Sequence, residues 1–278
     1  KVIFEEIKMR KDQPHVYVLD KIQSFLYTGT LAHEIIGTYE SMSSIDRKKL
    51  VNKFKQIYQA NNMVLCVVGN ADFDKLVKFA EKNFGKEKGN ISKLKIGLKN
   101  ESKIEKRKGI DQANMVFAYH GPLANDRKCY AARLLNTLMA GGMSSRLFEE
   151  IREKRNLAYA VKGESNINKE FAYNLVYVGT TKENIEKIKK IILGEFEKVA
   201  KELTEKELGQ VKEQLIGNYH IGMEDSQIQM VNLLAFELDG NAEEFYEFEK
   251  NIREIKLKDV KELAKIKNYS FFALVPAE

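Results

Sequence analysis

A carboxylate set among apolar residues opens the chain. In KVIFEEIKM, helical spacing puts Val2, Glu6 and Met9 on one face, with Ile3 beside them, and turns Glu5 away. A carboxylate on a buried face is costly unless it is paired or binds a metal. At the margin of a helix it simply reaches solvent. Both readings of Glu6 stand at this level. Arg152 and Tyr159 are a second candidate pair. They flank the end of the helix read from SSRLFEEIREKRNLAY and the start of the strand after it. Arg offers a rigid fork of donors and Tyr a hydroxyl, so together they suit the carbonyls of an extended peptide. The ordinary alternative is an Arg paired with a surface Glu and a Tyr in the core.

Other chemistries lack their residues. His15, His33, His120 and His220 have no His or Cys partner at metal-ligand spacing. His33-Glu34-Ile35-Ile36 lacks the second His of H-E-x-x-H, and the inverted motif H-x-x-E-H does not occur. A G-x-S-x-G elbow and a P-loop are also missing from the sequence. Gly141-Gly142 precedes Met-Ser-Ser with no strand leading in. These glycines are expected to end a helix, and Ser144 to cap the next one. Cys66 and Cys129 are too far apart in sequence to read as a framework. They fit two buried thiols in a reducing compartment, which makes the cytoplasm the expected location.

The net charge of +6 comes from 46 Lys and Arg against 40 Asp and Glu, interleaved along helices rather than gathered in a stripe. That pattern suits a solvated surface, and no nucleic-acid partner is expected. The hydrophobic fraction of 44% is enough for a core, while no apolar run reaches the roughly 18 residues of a membrane span. The opening residues lack a signal-peptide layout and an initiating Met, so the chain is expected to start inside a longer protein.

The elements that would position these residues follow from pattern. Helices are expected over 1–10, 15–28 and, capped by Ser44, along IDRKKLVNKFKQIYQ. MVLCVVG (Met63–Gly69) is wholly apolar and reads as a buried strand. A helix ending on Gly85 follows. Residues 89–109 are charged, with Gly and Asn interspersed, and read as a linker. Beyond it come a strand in ANMVFAYHG, helices over 125–140 and 144–155, and a strand pair near 157–166 and 171–179. Long helices then lead to a closing strand, SFFALVP. Helices over an antiparallel-rich sheet make the fold class α+β.

SIDRKKLVNKFKQIYQANNMVLCVVG (44–69) also echoes IREIKLKDVKELAKIKNYSFFALVPA (252–277): a lead-in, a basic amphipathic helix, then Asn and an apolar strand. About 155 residues precede the shared strand in the second unit and about 60 in the first. As copies, the first would lack on the order of 90 to 100 residues at its N-terminus.

The run GGMSSRLFEEIREKRNLAYAV (Gly141–Val161) resembles the C-terminal-half signature of the zinc peptidase superfamily that includes pitrilysin, insulin-degrading enzyme and the mitochondrial processing peptidase. VIFEEI resembles the helix carrying that family's third zinc ligand. LAHEIIGTYESMSSIDRKKLVNKFKQIYQANNMVLCVVGNAD resembles its Gly-Thr-x-Glu stretch and the helix and strand that follow. The resemblance implies two similar α+β domains facing a chamber. Residues 1–88 would be the C-terminal part of the first, metal-binding domain, 89–109 the linker, and 110–278 the second, substrate-side domain. It implies a zinc cofactor with Glu6 as a ligand, and substrate binding by Arg152 and Tyr159. The H-x-x-E-H segment with the general base would lie upstream of Lys1, so no catalytic base is expected in this chain. Implied partners are unfolded or extended peptides, and a second copy or the missing N-terminal segment, with no membrane. A non-catalytic partner subunit of the same fold is the competing implication.

Overall fold

The computed structural model describes residues 1–85, 89 and 92–277. Helices α1 (Val2–Asp12) and α2 (Pro14–Leu26) come first. Pro14 opens α2, where a missing N–H costs nothing because the first helical amides have no partner within the helix. A short strand β1 (Tyr27–Gly29) and helices α3 (Tyr39–Ser43), α4 (Arg47–Ile57) and α5 (Phe73–Asn83) follow. Asp46, not Ser44, caps α4, its carboxylate accepting the Lys49 amide at 2.7 Å. Asp72 does the same for α5.

Next come strands β2 (Ile96–Leu98), β3 (Ser102–Arg107) and β4 (Ala113–His120), then α6 (Lys128–Ala140). Gly141 ends α6, as its sequence position predicts. A π-helical turn (Phe148–Glu153) leads into the hairpin β5 (Ala158–Ile167) and β6 (Ala172–Thr180). Helices α7 (Ile185–Glu202), α8 (Glu205–Gly222), α9 (Ser226–Asp239), α10 (Phe248–Glu254) and α11 (Leu257–Leu263) precede the last strand, β7 (Ser270–Pro276).

The central sheet has strand order β3-β7-β4-β6-β5, antiparallel except where β3 runs parallel to β7. Side chains alternate between its faces, so β4 and β6 must be apolar on both sides if both faces are covered. Both are. Met115, Phe117, Val176, Val178, Phe271 and Ala273 meet the layer of α6, α7, α8 and α11. Val116, Ala118, Leu175, Tyr177, Phe272 and Leu274 meet Val18, Ile22 and Leu26 of α2. The α+β reading is therefore correct. The N-terminal helix α2 roofs the second face of a sheet built by the distant second unit.

One expectation gains detail and another changes. The stretch expected as a linker, 89–109, contains β2, paired with β1, and β3, paired with β7. Its charged pattern belongs to edge strands, which need only one neighbour and expose much of their length. Met63–Gly69, expected as a buried strand, joins no strand ladder among the described residues and is exposed, with Leu65 at 52%. Its counterpart in the internal echo, β7, lies between β3 and β4. A strand takes its hydrogen bonds from neighbours, and no described segment flanks Met63–Gly69 to supply them.

Candidate functional site

Gly141–Val161 folds as a strained path with a firm anchor. The Arg146 guanidinium makes a bidentate pair with Glu207 of α8, at 2.6 and 2.7 Å, and a longer contact to Glu195 of α7. The motif arginine is thus structural, tying the loop to two helices. Ser145, not the expected Ser144, stands where the helix begins, and its hydroxyl donates to the Gly142 carbonyl at 2.6 Å. The helix then widens into a π-turn, closed by the Lys154 amide donating to the Glu149 carbonyl. Glu150 pins this turn by pairing with Lys154 and Arg155, and these two cations hold its carboxyl down at about 2.

Arg152 lies on the π-turn. Its guanidinium sits over the Phe148 ring, 4.9 Å from the centroid, and its nearest carboxylate oxygen, on Glu153, is 3.9 Å away. At 46% exposure the fork of donors is open to solvent. Asn156 then takes a left-handed conformation with φ 50°, which reverses the chain into β5. β5 is an edge strand, and its register with β6 shifts between Ala158 and Ala160. Tyr159 occupies that bulge, a feature that re-aims a side chain. The ring lies across Gly179 of β6 and is 47% exposed. Tyr159 is not in the core, and the surface carboxylate beside Arg152, on Glu153, stands only at 3.9 Å.

A family model described as the peptidase M16 inactive domain matches residues 44–215. The chain belongs to the M16 peptidase family. This is the superfamily whose signature Gly141–Val161 resembles. An uncharacterized zinc protease of Rickettsia felis is 31% identical over 229 residues, covering 80% of this chain and 55% of that protein. The uncharacterized zinc protease YmxG of Bacillus subtilis is 29% identical over 233 residues, covering 82% and 57%. The chain therefore spans about half the length of these curated relatives. Among solved structures, a peptidase M16 inactive domain from Pseudomonas fluorescens superposes with a TM-score of 0.85 at 23% identity, over 99% of this chain and 69% of that one. A protease from Helicobacter pylori superposes with a TM-score of 0.87 at 18% identity, over 99% and 70%.

Glu6 is the metal-ligand candidate that the sequence offers. It is exposed on α1, as are Val2, Ile3 and Met9 around it, while Ile7 is the residue α1 buries. The face read as apolar is thus not the one that α1 buries. The Glu6 carboxylate has no hydrogen-bond or ion-pair partner among the described residues, so it is open to a cation. No group of three or more His, Cys, Asp or Glu among those residues could hold a metal. The histidines go elsewhere: His220 pairs with Glu249 at 2.8 Å, and His120 contacts the Lys99 carbonyl.

Other features lie apart from these residues. A cavity of about 670 Å³ between α6, α8 and α9, walled by Tyr130, Tyr219 and Phe236, includes none of Glu6, Arg152 and Tyr159. Burial pushes the Cys129 thiol up to about 11, which leaves it unreactive. No helix among the described residues is long and apolar enough to cross a membrane. Sequence reading missed Gly179, although a glycine inside the apolar run AYNLVYVGT signals the close approach of another group.

Proposed function

We propose that this chain joins the C-terminal part of the metal-binding domain to the substrate-side domain of an M16 zinc peptidase, in which Arg152 and Tyr159 hold an extended peptide while Glu6 supplies one zinc ligand. The observation that carries this reading is the run from Arg152 to Tyr159. A π-turn, a left-handed Asn156 and a β-bulge follow one another there and leave a guanidinium and a phenol exposed. Irregularities of this kind cost free energy and persist where they serve a site. The zinc-protease names of the relatives support the same reading.

On this reading residues 1–88 belong to the metal-binding domain, 89–109 connect, and 110–278 form the substrate-side domain. The two histidine ligands and the general base come from sequence outside these 278 residues. Bound zinc supplies a Lewis acid and lowers the pKa of its water. Arg152 offers donors to a peptide carbonyl, and Tyr159 offers its hydroxyl beside it. An edge strand such as β5 can take a peptide as an added strand, through main-chain hydrogen bonds. Peptide turnover then needs the metal-binding and substrate-side parts together, joined in one chain or across a second copy.

The test for Glu6 is zinc content. In the full-length protein, Glu6→Gln is expected to leave zinc substoichiometric after dialysis, by metal analysis. Stoichiometric, tightly held zinc in that variant would rule Glu6 out as a ligand. The sequence upstream of Lys1 separates enzyme from partner subunit: an intact H-x-x-E-H supports the peptidase, and a degenerate one supports a non-catalytic, peptide-binding subunit.

A further inference from the structure

The ring of Tyr159 occupies a slot that exists because Gly179 has no side chain. A Cβ built at Gly179 would lie 2.3 Å from the Tyr159 Cζ, 2.5 Å from its hydroxyl oxygen and 2.7 Å from Cε2. Atoms that close cannot coexist, so the ring or the strand would have to move. The backbone of Gly179 is not in the left-handed region that favours glycine. Space for the ring, rather than chain conformation, is what demands glycine here.

The slot has a defined far wall. Gly179 pairs with Asn114 on β4 and with Ala160 on β5. Tyr177, two residues along β6, is on the same face as the slot. Its hydroxyl donates to the Asn114 Oδ1 at 2.6 Å, and the Asn114 amide nitrogen contacts the Gln112 carbonyl at 3.4 Å. Asn114 is 4% exposed, so these bonds form in a nearly dry setting. Burial above all, and next its interaction with Tyr159, raise the pKa of the Tyr177 hydroxyl. The bulge in β5 brings the Tyr159 ring into this slot.

We infer that Gly179, Tyr177 and Asn114 form a cradle that positions Tyr159, with Gly179 as the residue that decides where the phenol stands. These are positioning residues: they act through Tyr159 and touch no substrate. The functional consequence rests on the proposed role of Tyr159, but the cradle itself does not.

Two measurements on the full-length protein separate those claims. The first follows nitration of Tyr159 by tetranitromethane, using peptide mass spectrometry, with exposed Tyr246 as the internal standard and buried Tyr27 and Tyr119 as reporters of unfolding. Gly179→Ala is expected to speed Tyr159 nitration at least threefold while the other three tyrosines keep their rates. An unchanged Tyr159 rate overturns the cradle. If Tyr27 and Tyr119 also become reactive, Tyr177→Phe decides, with a rise of at least twofold at Tyr159 expected and no rise overturning the proposal.

The second is a double-mutant cycle of kcat/KM on a quenched fluorogenic peptide mixture. Gly179→Ala is expected to cost tenfold or more in the native background and less than twofold beside Tyr159→Ala, where no ring is left to displace. Equal losses in both backgrounds would mean that Gly179 does not act through Tyr159. If Tyr159→Ala alone leaves turnover unchanged, the proposed role of Tyr159 falls, and the nitration result still decides the cradle.

Discussion

Arg146 and Arg152 stand six residues apart in one motif and do opposite things. Arg146 is committed to Glu207 and Glu195, with Lys198 closing the network on Glu195. Removing one partner of a mostly buried network leaves the others uncompensated, which is the costly direction. Arg146→Ala is expected to lower stability by about 3 kcal/mol, read from the urea midpoint. A change under about 0.5 kcal/mol, the size of an ordinary surface substitution, would mean the clamp is incidental. Arg152 carries no such burden, so Arg152→Ala is expected to leave that midpoint nearly unmoved. Glu150 is the acid-sensitive residue of the site. Its carboxyl is held down at about 2 from an ordinary 4.5 by Lys154 and Arg155. A lowered folded-state pKa contributes stability that is present above 4.5 and lost as pH falls toward about 2. The melting-temperature gap between the native protein and Glu150→Gln should narrow over that window. A gap that stays constant through it would contradict the pairing.

At the scale of elements, α2 makes the least expected contact. Its apolar residues recur at helical spacing, and the sequence reads plainly as a helix. Nothing in that periodicity says which sheet it covers, because partners roughly 90 to 260 residues away leave no local mark. The structure places Ile22 and Val18 fully buried against β4, β6 and β7. Ile22→Ala is therefore expected to cost about 3 kcal/mol and to loosen the second unit. Hydrogen exchange would show this as faster exchange of the β4 and β6 amides, and faster exchange confined to α2 itself would contradict the packing. The legible elements were those with a strong period or an unbroken apolar run: α6, the β5–β6 hairpin, α7, α8 and β7. Edge strands β2 and β3 were hidden by their charge. The π-turn and the bulge leave no composition signal, since both are single-residue offsets in otherwise regular patterns. Arg152 and Tyr159 could be named from residue type and resemblance, while the slot at Gly179 required the sheet register.

For the whole molecule, the contrast between its two parts is the main feature. The sheet and its two covers form a closed, apolar interior. Residues 39–84 instead present amphipathic helices and the Met63–Gly69 run with their apolar sides open, including Phe54 at 58% and Leu65 at 52%. Uncovered apolar surface of this extent marks an interaction face or drives association. On the proposed reading the rest of the metal-binding domain covers it. The 278-residue chain alone is then expected to bind a hydrophobic dye and self-associate, and the full-length protein to do neither. Equal dye binding by both would contradict that cover.

The central claim is that Arg152 and Tyr159 hold the peptide during turnover. It is tested most directly by kcat/KM of the full-length protein carrying Arg152→Ala or Tyr159→Phe, with zinc content measured alongside. The account predicts a tenfold or greater loss in each, about 1.4 kcal/mol or more in the barrier, with zinc and the urea midpoint unchanged. Unchanged turnover in both variants would contradict it.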